Sequence, residues 1–510
     1  MAEKTMQKTL GLTGVTVNAM ALIAPGAFLW ITYQLQASNT GGDTDMWSGI
    51  VAALIVAFLT AFSFAELAKK YPEAGAGGSY YFAEKAFLDR EKNSHKRFAR
   101  ISKFVTGWAA HLFYWVYPGV MVAMMAVLVT YILGQFGINI SVFAQIGVAV
   151  AFAVIVGFIA VRGVSGSTNV SIIINIIQLT SLVGFSILAI MFRLKNPLGV
   201  AESGWTHPSM TSIVFPHSLP AMLFQSTIAI LILVGFESST SLAGEAKNPK
   251  KDIPRGVILS LVIQGIFAYL LEYFAANFAM CDKLTYTAAD GKILTGMSAA
   301  AASGAPIGDL TRLIGDSMLG GNGFALMIVI AVTVGLAILG TTLAAINTAV
   351  RVSFAMAQDK EMPELLGVLH DKHVTPHLGV WVLVAVSAII GGIGVLNITA
   401  LTGVTLASNI GTFILYAMIC GLTFITFTGK IDFNAFKHAI IPFFGLLGNV
   451  GLLAAIVIIG LSTPGSSSDA TQIALYITAG WGIISALYFV IRSKKEGRDI
   501  IPTIESEPAN

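Results

Sequence analysis

Apolar stretches of about 20 residues or more recur along the whole chain, and they constrain its fold more than any other feature. Twelve such stretches fit between Leu12 and Ile491. A helix needs roughly 20 apolar residues to cross a hydrocarbon core about 30 Å thick. Because 55% of the 510 residues are hydrophobic and only 11% are charged, the chain has more apolar surface than a soluble core can bury. The sequence therefore predicts an all-α polytopic membrane protein with twelve transmembrane helices.

Lys and Arg residues are distributed unevenly between the predicted loops. With both termini on one side of the membrane, that side receives 25 of them and the other side 5. Cytoplasmic loops carry the excess of positive charge, so we expect a multi-pass plasma-membrane protein with both termini in the cytoplasm. The predicted segments are a cytoplasmic N-terminus (1–11), helices one to five (12–192), helices six to ten (193–427), helices eleven and twelve (428–491) and a cytoplasmic tail (492–510).

Two of the predicted helices contain residues that interrupt a helix near mid-membrane. The first has Ala24-Pro25-Gly26-Ala27 at its middle, and the sixth has Gly235-Phe236-Glu237-Ser238. Proline removes a backbone donor and glycine weakens the helix, while a carboxylate at this depth is costly unless it faces water, a partner or a ligand. Unwound backbone inside a membrane is tolerated only where protein or a cavity surrounds it. Both interruptions therefore indicate a functional site at this depth of the membrane.

Helices one and six occupy corresponding positions in two five-helix halves, as an inverted repeat requires. Paired interruptions of this kind indicate the substrate site of a transporter. Free N–H groups near Gly26 and Ala27 can hold an anionic group, and carbonyls from Val234 to Phe236 can accept from an ammonium. This favours a zwitterion, although Pro25 supplies no N–H, which leaves amines without a carboxylate possible. The predicted substrate-binding residues are Ile23, Ala24, Pro25, Gly26, Ala27, Val234, Gly235, Phe236, Glu237 and Ser238.

Three motifs resemble those of the amino acid-polyamine-organocation (APC) superfamily of permeases. The strongest lies in the sixth helix and the loop that follows it, and the others lie at the ends of helices two and eight. They are Gly235-Phe236-Glu237 with Glu245, Lys247-Asn248-Pro249 and Ile253-Pro254-Arg255; Phe64-Ala65-Glu66-Leu67 with Pro72, Ala74-Gly75, Gly78 and Tyr80; and Arg351, Phe354-Ala355-Met356-Ala357, Asp359 and Pro363. The resemblance implies a LeuT-like core of five plus five inverted helices, two extra C-terminal helices, and alternating access. It also implies that the substrate is an amino acid, polyamine or related organic cation.

The chain departs from the superfamily pattern at three places. Gly244 replaces the first acid of a Glu-Glu pair, and Ala24-Pro25-Gly26 replaces a Gly-Ser-Gly run. Gln178 is the closest match to a helix-five position where some proton-coupled relatives have lysine and others glutamate. Because an amide does not titrate, a lysine proton switch is not supported there.

The coupling ion is predicted to be a proton, with sodium as the alternative. The candidate residues are Gln178, His111, Glu272, Thr341 and Thr342. His111 titrates near neutral pH when unperturbed, and the two threonines could offer hydroxyls to sodium. Glu272, in the outer half of helix seven, is either a proton or cation site or an interfacial carboxylate. Phe236, at the break itself, is the predicted gate. Packing between helices is the alternative role for the histidine and the threonines.

Other classes of function find less support in the sequence. A polyamine or monoamine transporter remains the nearest alternative to an amino acid permease, and a potassium-type transporter would need a ring of ion ligands that the sequence lacks. An enzyme is not expected, because no nucleophile–base set, cofactor loop or metal cluster stands out. The histidines of HDKHVTPH lie in a loop, and no cofactor, metal or nucleic-acid partner is predicted.

Overall fold

A computed structural model describes residues 8–23, 25–38, 45–72, 77–162, 167–288, 290–371, 373 and 375–503, and for residues 25–28, 31 and 167–170 it describes the backbone alone. Nearly all of this chain is helical. The α-helices are α1 (Leu12–Ile23), α2 (Pro25–Ala37), α3 (Met46–Lys70), α4 (Ser79–Leu88), α5 (Asn93–Lys96), α6 (Ala99–Gln135), α7 (Val142–Val161), α8 (Ser167–Lys195), α9 (Thr211–Val214), α10 (Leu219–Leu233), α11 (Pro249–Leu261), α12 (Leu271–Ala279), α13 (Gly296–Ala302), α14 (Pro306–Met318), α15 (Gly323–Gln358), α16 (His377–Gly394), α17 (Ile398–Phe427), α18 (Ile441–Ser462) and α19 (Ser466–Glu496).

The remaining regular elements are short. Strands β1 (Thr285–Thr287) and β2 (Ile293–Thr295) pair antiparallel in a hairpin. The 3-10 helices are Glu202–Gly204, Phe236–Leu242 and Glu364–Gly367, and the π-helices are Val262–Leu270 and Phe436–Ile440.

Eleven helical segments in the described residues are long and apolar enough to cross a membrane. They coincide with the second to twelfth predicted spans. The first predicted span consists of two shorter helices, α1 and α2, of which α1 is counted as a short apolar helix. The prediction of an all-α polytopic membrane protein is confirmed. The predicted count of twelve is not confirmed, because the first predicted span is divided into α1 and α2 and neither is long enough to be counted as a span.

Helices α6 and α17 lie at the centre of the bundle, and α19 lies at its edge. In α17, 72% of the apolar 18-residue stretch is buried, against 11% of the corresponding stretch in α19. The helix α6 packs against α15, α16 and α17. Large side chains of α19 such as Tyr476 and Ile484 point outward. Lipid rather than water is the solvent for such an apolar face, so this is the arrangement expected of a membrane bundle.

One end of the bundle carries both described chain ends, and we call it the terminal face. The backbone of Leu10 exchanges hydrogen bonds with Glu245 and Lys247, at 2.9 and 2.7 Å, and Arg351 pairs with the Glu245 carboxylate at 2.7 Å. Near the other terminus, Arg100 donates to the backbone carbonyl of Arg498 at 3.0 Å. The opposite end, which we call the hairpin face, is formed by β1, β2, α13 and α14.

Candidate functional site

The sixth predicted span is broken after Leu233. Val234 is extended, with φ −68° and ψ 151°, and Gly235 has φ 125° before the 3-10 helix Phe236–Leu242 begins. A Cβ atom at Gly235 would lie 2.8 Å from the Cβ of Leu22 and 3.1 Å from the backbone nitrogen of Ile23. Both the positive φ and this close approach require glycine. The break in the sixth span therefore touches the end of α1.

The first predicted span is interrupted at the predicted place. Helix α1 ends at Ile23 and α2 begins at Pro25, while Ala24 lies outside the described residues. Proline suits the first position of a helix, where its missing N–H would have no partner within the helix. The backbone of Gly26 and Ala27 forms the first turn of α2, where the amides lack partners inside the helix. The side chains of Pro25, Gly26 and Ala27 are not described.

The last carbonyl groups of α1 are bound by side chains from three other segments. Tyr117 of α6 donates to Leu22 O at 3.0 Å, and Tyr269 donates to Ile23 O at 2.6 Å. Thr341 of α15 donates to Ala21 O at 3.0 Å. A helix end buried in a membrane needs such partners for its free carbonyls, so these contacts explain how α1 can end in mid-bundle.

Glu237 is held at the helix-six break by three donors. Its side chain is 2% exposed. The Tyr416 hydroxyl donates to Oε2 at 2.7 Å, the Tyr114 hydroxyl donates to Oε1 at 3.0 Å, and the Gly235 N–H donates to Oε2 at 2.9 Å. Hydrogen bonds from α6, from α17 and from the backbone of the break itself therefore offset the energetic cost of burying this carboxyl group.

Phe236 and Ser238 fill the break on either side of Glu237. The ring of Phe236 is fully buried and lies 5.3 Å from the ring of Tyr416 and 6.1 Å from that of Phe64. The Ser238 hydroxyl donates to Gly235 O at 2.6 Å, and the Ser239 hydroxyl donates to Phe236 O at 2.9 Å. Two carbonyls predicted to face a substrate ammonium thus accept from serines in this conformation.

Two cavities flank the broken segments, one toward each face. The larger is about 500 Å³ in volume and opens on the hairpin face; its lining includes Gln34, Tyr131, Asp309 and Asn397. The smaller, about 200 Å³, reaches toward the terminal face; its lining includes Asn18, Ser238, Asn347 and Arg351. Burial raises the pKa of the Asp309 carboxyl above its ordinary value, against the hydrogen bonds from Ser303 and Tyr131 that lower it. Phe236, Glu237 and Ser238 of the helix-six break are buried, and Ser238 contributes to the lining of the smaller cavity.

Gln178 belongs to a cluster of buried amides beside α1. Its Nε2 donates to Asn175 Oδ1 at 2.8 Å, and Gln264 Nε2 donates to the same oxygen at 3.0 Å. Gln264 also reaches Met20 O at 3.4 Å. The helix-five position therefore connects to the end of α1 through neutral hydrogen bonds among the described residues.

The other predicted coupling residues lie at separate places. His111 contacts Gly107 O at 2.8 Å and Ser353 Oγ at 2.9 Å, between α6 and α15. Thr342 donates to Ile338 O within its own helix, whereas its neighbour Thr341 reaches α1. Glu272 is buried in α12. The structure thus brings Thr341 to the end of α1 and links Gln178 to α1 through Asn175 and Gln264. It places His111 in a helix-packing contact.

Several contacts of the candidate site were not predicted from the sequence. Tyr117, Tyr269 and Gln264 were not singled out, and Tyr416 was not linked to Glu237. A tyrosine or glutamine in the middle of an apolar span is a signal in itself, because its buried polar group needs a partner. The sequence does not state which carbonyl or carboxylate that partner is. Among the residues with described placement, no group of three or more His, Cys, Asp or Glu could hold a metal ion.

The chain matches the sequence profile of a family described as "Amino acid permease" over residues 8–485. The branched-chain amino acid permease BcaP of Bacillus subtilis (strain 168) is 24% identical over 431 residues, covering 82% of this chain and 80% of that protein. A methylthioribose transporter of the same strain is 24% identical over 423 residues, with the same coverage of 82% and 80%. The low-affinity putrescine importer PlaP of Escherichia coli (strain K12) is 22% identical over 269 residues, 53% of this chain and 54% of that protein.

The profile covers nearly the whole chain, including both broken helices and the three motifs noted in the sequence. The relatives are named as permeases or transporters, which agrees with a bundle of apolar helices that has buried polar groups at its centre. The chain is a transport protein rather than an enzyme. It belongs to the amino acid permease family, within the amino acid-polyamine-organocation superfamily.

Proposed function

We propose that the protein is a secondary active permease that carries amino acids across the plasma membrane by alternating access. The observation that supports this most directly is the contact between the two breaks, where Gly235 packs on Leu22 and Ile23. The amino end of α2 offers backbone N–H groups for a carboxylate, and Glu237 offers negative charge for an ammonium. An amino acid zwitterion satisfies both. The residues 23–27 and 234–238 are the proposed substrate site.

The proposed orientation has the terminal face in the cytoplasm. Most Lys and Arg residues lie on loops of that side, as the positive-inside rule requires. Residues 12–192 and 193–427 are the two halves of the proposed inverted repeat, 428–491 hold the two additional helices, and 1–11 and 492–510 are the cytoplasmic ends. Substrate would enter the larger cavity from outside and leave through the smaller one.

Alternating access requires the broken helices to move against helices that stay in place. The hydrogen bonds that join α1 to Tyr117 and Thr341, and Glu237 to Tyr114 and Tyr416, cross this boundary. We propose that they hold the present conformation, in which Phe236 closes the site as a gate. Substrate binding would compete for these groups and so change the balance between conformations.

An amine transporter is the second candidate function. Pro25 supplies no N–H to a substrate carboxylate, and Glu237 is a buried carboxyl at the break, which suits a cation. One relative is named a putrescine importer, and others are named for branched-chain amino acids and methylthioribose. We favour an amino acid, because the amino end of α2 and the Glu237 carboxyl together present both poles that a zwitterion needs.

A competition assay tests the proposal. Purified protein in proteoliposomes is assayed for uptake of labelled leucine and of labelled putrescine, each with a panel of unlabelled amino acids and amines. We expect amino acids to compete and amines to fail. The same panel is tested by thermal shift, with and without sodium and at two pH values, because a specific ligand raises the unfolding temperature. Competition by amines with failure of every amino acid would overturn the amino acid proposal.

A further inference from the structure

Glu272 is a buried carboxyl group without a hydrogen-bond partner among the described residues. Its side chain is 1% exposed, and in the described part of the chain neither Oε1 nor Oε2 has a partner. Glu237, the other carboxyl considered in the bundle, has three donors. Burying an ionised carboxylate without donors or an opposite charge costs several kcal/mol. The neutral, protonated form of Glu272 is therefore the one that this conformation stabilises.

The segment just before Glu272 connects it to the broken helices. Val262–Leu270 is a π-helix, a rare form that is frequent at functional sites. Its Tyr269 binds Ile23 O at the end of α1, and Trp47 of α3 donates to Leu270 O at 2.9 Å. Glu272 follows Tyr269 by three residues, so it lies about one turn further along the same side of the helix.

The segment after Glu272 contacts α2, the other half of the first span. The rings of Tyr273 and Tyr33 lie 5.8 Å apart, and the Tyr33 hydroxyl donates to Asn277 Oδ1 at 3.1 Å. The hydroxyl of Tyr273 has no partner among the residues that the structure describes. The seventh span thus contacts both halves of the broken first span, α1 through Tyr269 of its π-helix and α2 through α12, the segment that holds Glu272.

No charged side chain in the described ranges is paired with Glu272. Helix α12 packs against α8, α3, α9, the π-helix Val262–Leu270 and, through Tyr33, α2. The titratable or charged groups on these elements and on α12 itself are Arg193 and Lys195 at the end of α8, Glu66, Lys69 and Lys70 at the terminal-face end of α3, Tyr269, Tyr273 and Tyr33. Arg193 lies 3.9 Å from the ring of Trp205 and 5.2 Å from that of Phe278.

We propose that Glu272 is the proton-binding group that couples substrate transport to a proton gradient. The proton is bound while Glu272 is buried and is released to water when α12 moves with the halves of the first span. The step is a simple exchange of one proton between the carboxyl group and water, with no other reactant. This inference rests on the proposed transport function and names its coupling ion.

The first test compares E272Q with the wild type in proteoliposomes. Glutamine has the same shape as the protonated acid but cannot release a proton. Under an inwardly directed proton gradient we expect the wild type to accumulate substrate several-fold over the no-gradient level. E272Q should fall to that level while still exchanging internal for external substrate. The matched control is E202Q, which changes an exposed glutamate of the 3-10 helix Glu202–Gly204 and should behave as wild type. Gradient-driven accumulation by E272Q equal to that of E202Q would overturn the inference.

The second test does not depend on transport or on the folding of any one variant. Infrared spectra of wild type, E272Q and E272D are recorded across a pH series, and we expect a carboxylic acid C=O band in the wild type that is absent in E272Q and shifted in E272D. The lack of any band sensitive to Glu272 at every pH would refute the inference by itself. If the band is found but the wild type carries no amino acid or amine, the proposed function fails and the proton site stands.

Discussion

Tyr416→Phe is the substitution that most directly tests how the helix-six break is held. The hydroxyl of Tyr416 donates to Glu237 Oε2 at 2.7 Å. The ring also packs on Phe236 and Phe64, with centroids 5.3 and 5.8 Å away. Phenylalanine keeps the ring and removes only the hydroxyl, so the variant isolates one of the three hydrogen bonds to the carboxyl group.

The expected loss is about 1.5 kcal/mol of stabilisation of the present conformation. Hydrogen bonds to charged groups contribute about 1.5–3 kcal/mol in soluble proteins, whereas side-chain bonds between membrane helices average about 0.6 and reach about 1.7 kcal/mol. The short distance and full burial place this bond at the upper end of the membrane range. A change of about 1.4 kcal/mol shifts an equilibrium roughly tenfold, so the conformational balance of the transporter should shift by about that factor.

Two measurements check the expectation. The apparent unfolding temperature of the purified protein should fall in Y416F and stay unchanged in Y476F, a control in which the tyrosine is 74% exposed. Initial uptake rates in proteoliposomes should change for Y416F alone. The effect should also disappear in a Glu237→Ala background, because the hydroxyl then has no acceptor. A Y416F protein that behaves as Y476F, or effects of Y416F and E237A that simply add, would refute the reasoning.

Three further predictions concern other contacts of the breaks and the terminal face. Gly235→Ala should abolish uptake and lower the unfolding temperature, because the new Cβ would meet α1. Gly451→Ala is the control and should do neither, because nothing lies within 4 Å of a Cβ there. Equal behaviour of the two variants would contradict this. Arg351→Glu should slow uptake, because it breaks the ion pair with Glu245, and adding Glu245→Arg should restore the uptake rate. A double variant that is as slow as Arg351→Glu alone would show that the ion pair does not matter for transport. Replacing sodium by choline should leave wild-type uptake unchanged, because the proposed coupling ion is a proton and the Thr341 hydroxyl hydrogen-bonds directly to Ala21 O. Sodium stimulation that is lost in Thr341→Val would show the opposite.

Much of the fold follows from local composition. The lengths and positions of the spans were predicted from hydropathy, because a bilayer excludes any segment that leaves backbone groups unpaired. Pro25 and Gly235 marked the two breaks, since each residue has a backbone property that a continuous helix cannot use. The family motifs around Gly235 and Lys247 lie in the residues 8–485 that match the permease profile.

The partners of the breaks could not be predicted in the same way. Glu237 was expected to face a ligand, water or a partner, and the structure shows Tyr114 and Tyr416, which are 123 and 179 residues away in sequence. His111 had no feature that distinguished a titrating role from packing, and its contacts lie between α6 and α15. A one-dimensional pattern gives the face and depth of a residue but not the helix that comes to lie opposite it.

The sequence by itself determined that this chain spans a membrane, where its helices break, and which family it resembles. These properties depend on transfer of each segment from water to lipid and on the backbone preferences of single residues, which are local quantities. Only the tertiary structure decided that Tyr117, Tyr269 and Thr341 bind the end of α1, that Glu237 is held by tyrosines and that Glu272 has no partner within the described ranges. Each of those outcomes depends on which groups from distant spans come within hydrogen-bonding distance, and that is settled by packing of the whole bundle.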